Sequence, residues 1–147
     1  MELKSSAFKN NEALPTQYTC YGQKMSPPLA WSGFPKEANC FALICEDPDA
    51  VGGTFIHWVV YNIPRDVTAF PENGSIAGSM GLTSGHTAAW YPACPPKGTG
   101  KHRYIFTLYA LKKEFGLTRA THQQFVEALR QEGYLAKATL IGIVQAP

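Results

Sequence analysis

Apolar residues along this chain fall into a few dense runs separated by long polar, turn-rich stretches. Phe41-Ala42-Leu43-Ile44-Cys45 is apolar at both parities, the pattern of a strand buried on two faces, and it ends at Asp47-Pro48. Phe55 to Ile63 (FIHWVVYNI) repeats the pattern and is closed by Pro64. Arg103 to Leu111 (RYIFTLYAL) is rich in aromatic and β-favouring residues, and Ala136 to Gln145 (AKATLIGIVQ) predicts a last strand. One segment has helical spacing: Thr121-x-x-Gln124 forms a capping-box signature, Phe125, Ala128 and Leu129 recur on one face, and Gly133 supplies the stop. Residues 64–101 are irregular and loaded with Gly, Pro, Ser and Thr, and a loop region that long inside a compact domain is usually functional or disordered. The pattern predicts a mostly β sandwich with a helix packed late in the chain.

At 147 residues the chain matches one domain, 1–147, able to bury roughly 70% of its unfolded surface. Charged residues make up 16%, and the 13 glycines and 11 prolines favour turns and strands over a helical bundle. A net charge of +2 excludes a dedicated nucleic-acid binder. The charge is uneven: residues 1–73 hold five Lys/Arg against eight Asp/Glu, residues 74–147 eight against three, which leaves room for a local anion site. MELKSSAF has no apolar leader core, and no run of about 18 apolar residues occurs, so a soluble, cytoplasmic protein without an integral membrane segment is expected. Cys20, Cys40, Cys45 and Cys94 show neither C-x-x-C nor zinc spacing, and in a reducing compartment they read as buried free thiols.

Three segments place ionisable residues beside apolar strands. In Glu46-Asp47-Pro48-Asp49-Ala50 a strand runs into two carboxylates held by a proline, an arrangement that equally suits a self-capped Asx turn. His57-Trp58 sits inside an apolar run, where a histidine is either a satisfied core residue or a ligand-binding group. Pro95-Pro96-Lys97-Gly98-Thr99-Gly100-Lys101-His102-Arg103-Tyr104 leads a Gly-Pro loop into a strand on which His102 and Tyr104 share one face and Arg103 takes the other. An imidazole and a phenol side by side offer donors to an oxyanion. Gly98-Thr99-Gly100-Lys101 fails as a phosphate loop, because Pro95 stands where Gly is required and His102 where Ser or Thr is. No G-x-S-x-G is present, and Ser84-Gly85-His86 reads as a loop tripeptide. Asp47, His57 and His102 leave open a two-histidine, one-carboxylate metal site, and with it a hydrolase or metal-dependent enzyme.

Taken in order, these segments resemble the phosphatidylethanolamine-binding protein family, which includes the Raf kinase inhibitor proteins, and in particular its short bacterial and archaeal branch. The resemblance runs from Phe8 through Tyr18-Thr19-Cys20 and Ser26-Pro27-Pro28-Leu29-x-Trp31 to Gly142. Its specific parts are Asp47-Pro48-Asp49-Ala50, Gly53-Thr54-Phe55-x-His57-Trp58-Val59-x-Tyr61-Asn62-Ile63-Pro64, and Pro95-Pro96-x-Gly98 with His102-Arg103-Tyr104. It implies a Greek-key-like β-sandwich with one or two peripheral helices and a small pocket for anionic groups such as phosphate. The implied wall is Asp47, His57, Pro96, His102 and Tyr104, with Asp49 and Pro95 beside it. It further implies a binding or inhibitor-type module needing no cofactor, with a small phosphorylated ligand, a kinase or protease as protein partner, and a homodimer to which an exposed aromatic loop near Trp90 contributes. Two departures bear on pocket size: Val51 replaces the last proline of Asp-Pro-Asp-Ala-Pro, and Ala88-Ala89-Trp90-Tyr91-Pro92-Ala93 replaces a Gly-rich stretch.

A carboxylate beside an anion pocket needs a division of labour. Asp47 is expected to accept a hydrogen bond from an imidazole and favour its protonated form. Both histidines are then expected to turn their other N–H to the ligand, with the Tyr104 hydroxyl as a neutral donor.

Overall fold

The computed structural model describes residues 1–147. In chain order the elements are β1 (Glu2–Lys4), β2 (Glu12–Ala13), β3 (Leu29–Ser32), β4 (Cys40–Asp47), β5 (Phe55–Pro64), β6 (Ala69–Phe70), β7 (Ser79–Met80), β8 (His102–Leu111), α1 (His122–Glu132) and β9 (Ala136–Val144), with a 3-10 turn at Thr16–Tyr18. They form a three-stranded sheet, β1-β3-β6, and a six-stranded sheet, β2-β9-β8-β4-β5-β7. The protein is mostly β with one α-helix, as the hydrophobic pattern predicts. The four strands read from the apolar runs are the four long central ones. The small sheet, built from strands of two to four residues, left too short a pattern to find.

The two-sided burial of β4 has a direct explanation. Its odd residues Phe41, Leu43 and Cys45 face the small sheet, in one core with Trp31, Trp58, Phe70 and Phe106. Its even residues Cys40, Ala42 and Ile44 join a second core with Val59, Tyr61, Phe115 and Phe125, which carries α1. The first core is dominated by aromatic edges, Trp31 meeting Phe41 at 5.7 Å and Phe70 at 5.1 Å between ring centres. α1 starts with the reciprocal pair of bonds that Thr121 and Gln124 foretell, and ends at Gly133 with φ of 69°.

The sheet register brings the chemistry together. β4 pairs antiparallel with β5 on one side and β8 on the other, so the C-terminal end of β4 lies between the N-terminal ends of its two neighbours. Asp47 is opposite Phe55, and Glu46 is opposite Ile105. One irregularity adds to this. Cys45 pairs with Trp58 but Glu46 with Ile56, leaving His57 as the extra residue of a β-bulge. Bulges re-aim a side chain, and here the residue set free from the ladder is the candidate histidine.

The cysteines depart from expectation. Cys20 and Cys94 are joined in a disulfide, while Cys40 and Cys45 are the buried free thiols. Burial pushes the Cys40 thiol up to about 11 and holds Cys45 well above the ordinary thiol range, so neither is a nucleophile at neutral pH. Two cysteines 74 positions apart carry no pairing signal in sequence; only the fold brings the Cys20 turn against the loop before β8. Free thiols throughout, the state expected of a reducing compartment, is therefore corrected for this pair.

Candidate functional site

At the shared end of β4, β5 and β8 lies a hollow of about 290 Å³. Asp47, His57, His102 and Tyr104 supply its polar wall, and Pro96 part of its rim. Asp47, His57, His102 and Tyr104 are all buried. The remaining surface comes from Ala50, Val51, Phe55, Tyr91 and Cys94. Val51 and Tyr91, singled out as departures in sequence, thus do border the hollow. An open groove of about 700 Å³ along α1 is larger, but its lining of surface residues such as Gln123, Val126 and Gln131 includes no buried ionisable group.

The polar residues form an ordered chain. Asp47 Oδ2 accepts from His102 Nδ1 at 2.7 Å, with both side chains almost wholly buried (3% and 1% exposed). Asp47 Oδ1 accepts the Asp49 backbone N–H at 2.8 Å, the Asx turn that the Asp-Pro-Asp sequence suggested. On the far side of the ring, His102 Nε2 meets Thr99 Oγ1 at 2.8 Å, and Thr99 Oγ1 also donates to the Pro96 carbonyl at 2.6 Å. This resembles a Thr-His-Asp triad, yet the protons count differently. A carbonyl only accepts, so the single hydroxyl proton of Thr99 goes to Pro96. The contact with Nε2 then requires an N–H, and His102 donates from both nitrogens. The ring so held is an imidazolium between the Asp47 carboxylate and the Thr99 hydroxyl oxygen.

His57 is held otherwise. Its Nδ1 lies 2.7 Å from the Tyr91 carbonyl oxygen, and its own carbonyl accepts the Tyr91 N–H at 2.8 Å. The loop residue therefore grips both the ring and the backbone of the bulge. Gly85 makes this possible, since a Cβ there would lie 2.2 Å from the Tyr91 ring. Phe55, Tyr104 and Tyr91 surround the imidazole, with ring centres 4.8, 5.1 and 5.8 Å away. Burial lowers the His57 pKa below its usual value, against the opposing pull of the Tyr91 carbonyl and Asp47. Burial thus favours the neutral ring, whose one N–H is spent on the Tyr91 carbonyl, and the expectation that both histidines act as charged donors is corrected for this one. Tyr104 stays protonated, because burial, then the nearby Asp47 carboxylate, pushes its phenol up.

Of the residues assigned from sequence, Asp47, His57, Pro96, His102 and Tyr104 converge on the hollow, whereas Asp49 and Pro95 do not line it. Both Asp49 oxygens go to Arg103, which forms a two-point fork at 2.9 Å with its backbone N–H also bound at 2.9 Å. That fork, ahead of burial, which opposes it, lowers the Asp49 carboxyl to about 2. Pro95 is buried and accepts the Tyr21 hydroxyl at 2.6 Å. These two residues fix the walls from behind. Trp90 is half-buried rather than exposed, packed on Trp58 at 5.3 Å and Phe106 at 5.9 Å. The metal reading meets a physical obstacle. No three His, Cys, Asp or Glu side chains converge suitably to hold an ion, and the His102 nitrogens and Asp47 oxygens are already hydrogen-bonded. Thr99 and Phe55 were missed because neither carries a signal of its own: one is a hydroxyl in a glycine loop, the other an aromatic at a strand start.

Fold and site together define a β-sandwich module whose central strands end on a small, partly polar hollow. The chain belongs to the phosphatidylethanolamine-binding protein family, whose model matches residues 4–145. It is 40% identical over 149 residues to a UPF0098 protein of Methanothermobacter thermautotrophicus, covering 97% of each chain. Among solved structures it is similar to the phosphatidylethanolamine-binding protein homologue of Chlamydia trachomatis, with a TM-score of 0.92, 36% identity and coverage of 99% of this chain and 97% of that one. It is also similar to Escherichia coli YbcL, described as a new member of the mammalian family, with a TM-score of 0.90, 30% identity and coverage of 99% and 98%. No helix is long and apolar enough to cross a membrane.

Proposed function

We propose that this protein is a binding module for small anionic groups, phosphoryl groups foremost, which enter the hollow and replace Thr99 as the hydrogen-bond acceptor of His102. The Asp47–His102–Thr99 chain carries the reading. Asp47 orients the ring and offsets its charge, Nε2–H points at an oxygen, and Tyr104 adds a neutral hydroxyl. Charge-assisted hydrogen bonds contribute about 1.5–3 kcal/mol each, so two or three place affinity in the millimolar-to-micromolar range. The hydrolase alternative needs Thr99 to donate to His102 rather than to Pro96, and the proton count above runs against it.

Calorimetry with phenyl phosphate tests the proposal. Thr99→Ala removes the competing hydroxyl and is expected to leave affinity unchanged or raise it severalfold, while His102→Ala abolishes the binding heat. His102→Ala leaves Asp47 buried and unpaired at a cost of about 3–5 kcal/mol, so circular dichroism must accompany it. Thr99→Ala carries no such penalty. Lost binding in Thr99→Ala would overturn the replacement model. Covalent labelling of Thr99 by a fluorophosphonate would instead promote the enzyme.

A further inference from the structure

We propose that the hollow selects phosphate monoesters carrying one acidic proton, because His57 Nε2 is an acceptor that receives the ligand's P–O–H. This rests on the anion-binding reading above and names the class of anion.

The tautomer of His57 is fixed by Tyr91. Its carbonyl oxygen can only accept, so the 2.7 Å contact places the proton of His57 on Nδ1. The second bond, from the Tyr91 N–H to the His57 carbonyl at 2.8 Å, ties the bulge and the loop together and keeps the Tyr91 carbonyl beside the ring. Nε2 makes no hydrogen bond within the protein and is not sealed from solvent, while the ring lines the hollow. It therefore offers a lone pair to whatever enters.

The groups facing His57 come from three elements. β4 contributes Asp47, whose two oxygens are already occupied by His102 and the Asp49 N–H. β8 contributes His102, positively charged, and Tyr104, protonated. The loop contributes Tyr91, and Cys94, which is locked in the disulfide and does not titrate. No Lys or Arg lines the hollow. A second proton on His57 is opposed by burial and by the positive His102. The site thus offers a cationic donor at His102 and a neutral acceptor at His57.

A phosphate monoester monoanion fits that pair. One P–O⁻ oxygen takes the His102 Nε2–H, and the P–O–H donates to His57 Nε2. The second ionisation of such esters falls near pH 6, so the protonated form is available close to neutrality. A sulfate monoester or a phosphate diester has no proton to give there, and either would set an oxygen lone pair against that of Nε2.

Calorimetry at pH 6.5 with phenyl phosphate, phenyl sulfate and benzylammonium tests this, with phenyl phosphate repeated to pH 8.5 in two buffers of different ionisation enthalpy. Phenyl phosphate is expected to bind at least tenfold tighter than phenyl sulfate. Its affinity should fall close to tenfold per pH unit above pH 7, with about one proton taken up per ligand bound at pH 8. His57→Phe should narrow the preference over sulfate. The proton count on the unaltered protein keeps the test decisive if that variant misfolds. Equal binding of phosphate and sulfate esters, with affinity flat in pH, would overturn the inference and leave the anion reading standing. Binding of neither overturns both, as does binding of benzylammonium alone, which would make Nε2 the partner of a cation.

Discussion

Two aspartates one proline apart have opposite duties. Asp47 is buried and holds the His102 imidazolium, while Asp49 is half-exposed and holds Arg103. Their identical chemistry in sequence is divided by strand geometry: β4 ends at Asp47, and the turn sends Asp49 out to the surface-facing side of β8, where Arg103 lies. This gives a pH signature. The Asp49 pKa is lowered to about 2 in the folded protein, from an ordinary value of 3.8, so its contribution to stability is present above about pH 4 and is lost as pH falls through about 2. Asp49→Asn is expected to lower the thermal midpoint by a few degrees at pH 6, with the gap to the parent closing between pH 4 and pH 2. Thermal melts across that range check it, and a gap that persists at pH 2 would assign the loss to packing rather than charge. Because the fork is solvent-screened, 0.5 M salt should shrink the effect.

Elements matter here for where they end and where they are interrupted. β4, β5 and β8 present three strand ends at one edge, and the bulge lifts His57 out of the ladder toward that edge. The glycine loop before β8 brings Thr99 onto His102, with Gly98 and Gly100 in the left-handed region at φ of 80° and 79°. α1 is remote from this chemistry and closes the second core through Phe125. Its capping box is the best-specified local feature of the chain. Thr121→Ala removes the bond to the Gln124 N–H and is expected to cost about 1 kcal/mol in urea unfolding, with phenyl phosphate affinity unchanged. An altered affinity would mean that the helix communicates with the hollow.

For the molecule as a whole, the most consequential link is Cys20–Cys94. It closes a loop with a sequence separation of 74, for which chain entropy alone gives about 4 kcal/mol. It also anchors the wall of the site. Cys94 borders the hollow, the Cys20 N–H bonds the Ala93 carbonyl at 2.9 Å, and Tyr21 holds Pro95. Reduction, or the Cys20→Ser/Cys94→Ser pair, is therefore expected to cost about 2–4 kcal/mol in denaturant unfolding and to weaken phenyl phosphate binding. Unchanged stability under reductant, with the two thiols shown to be free, would remove the disulfide from this account.

The hydrophobic pattern determined the four long strands, the helix and both of its boundaries, because burial on two faces and a capping box are local properties that a short window of sequence records. Residue type, with the family resemblance, also pointed to Asp47, His57, Pro96, His102 and Tyr104. What it left open was decided by tertiary contact. The disulfide, the three-stranded sheet, the diversion of Asp49 to Arg103 and the role of Thr99 each depend on a partner distant in sequence or on the path of a loop. Most of all, the two histidines look alike in sequence and behave oppositely in the fold. His102 meets a carboxylate and keeps two protons; His57 meets a carbonyl among aromatic rings and keeps one. A proton's position is set by the neighbours that folding supplies, and the sequence names the ring without naming those neighbours.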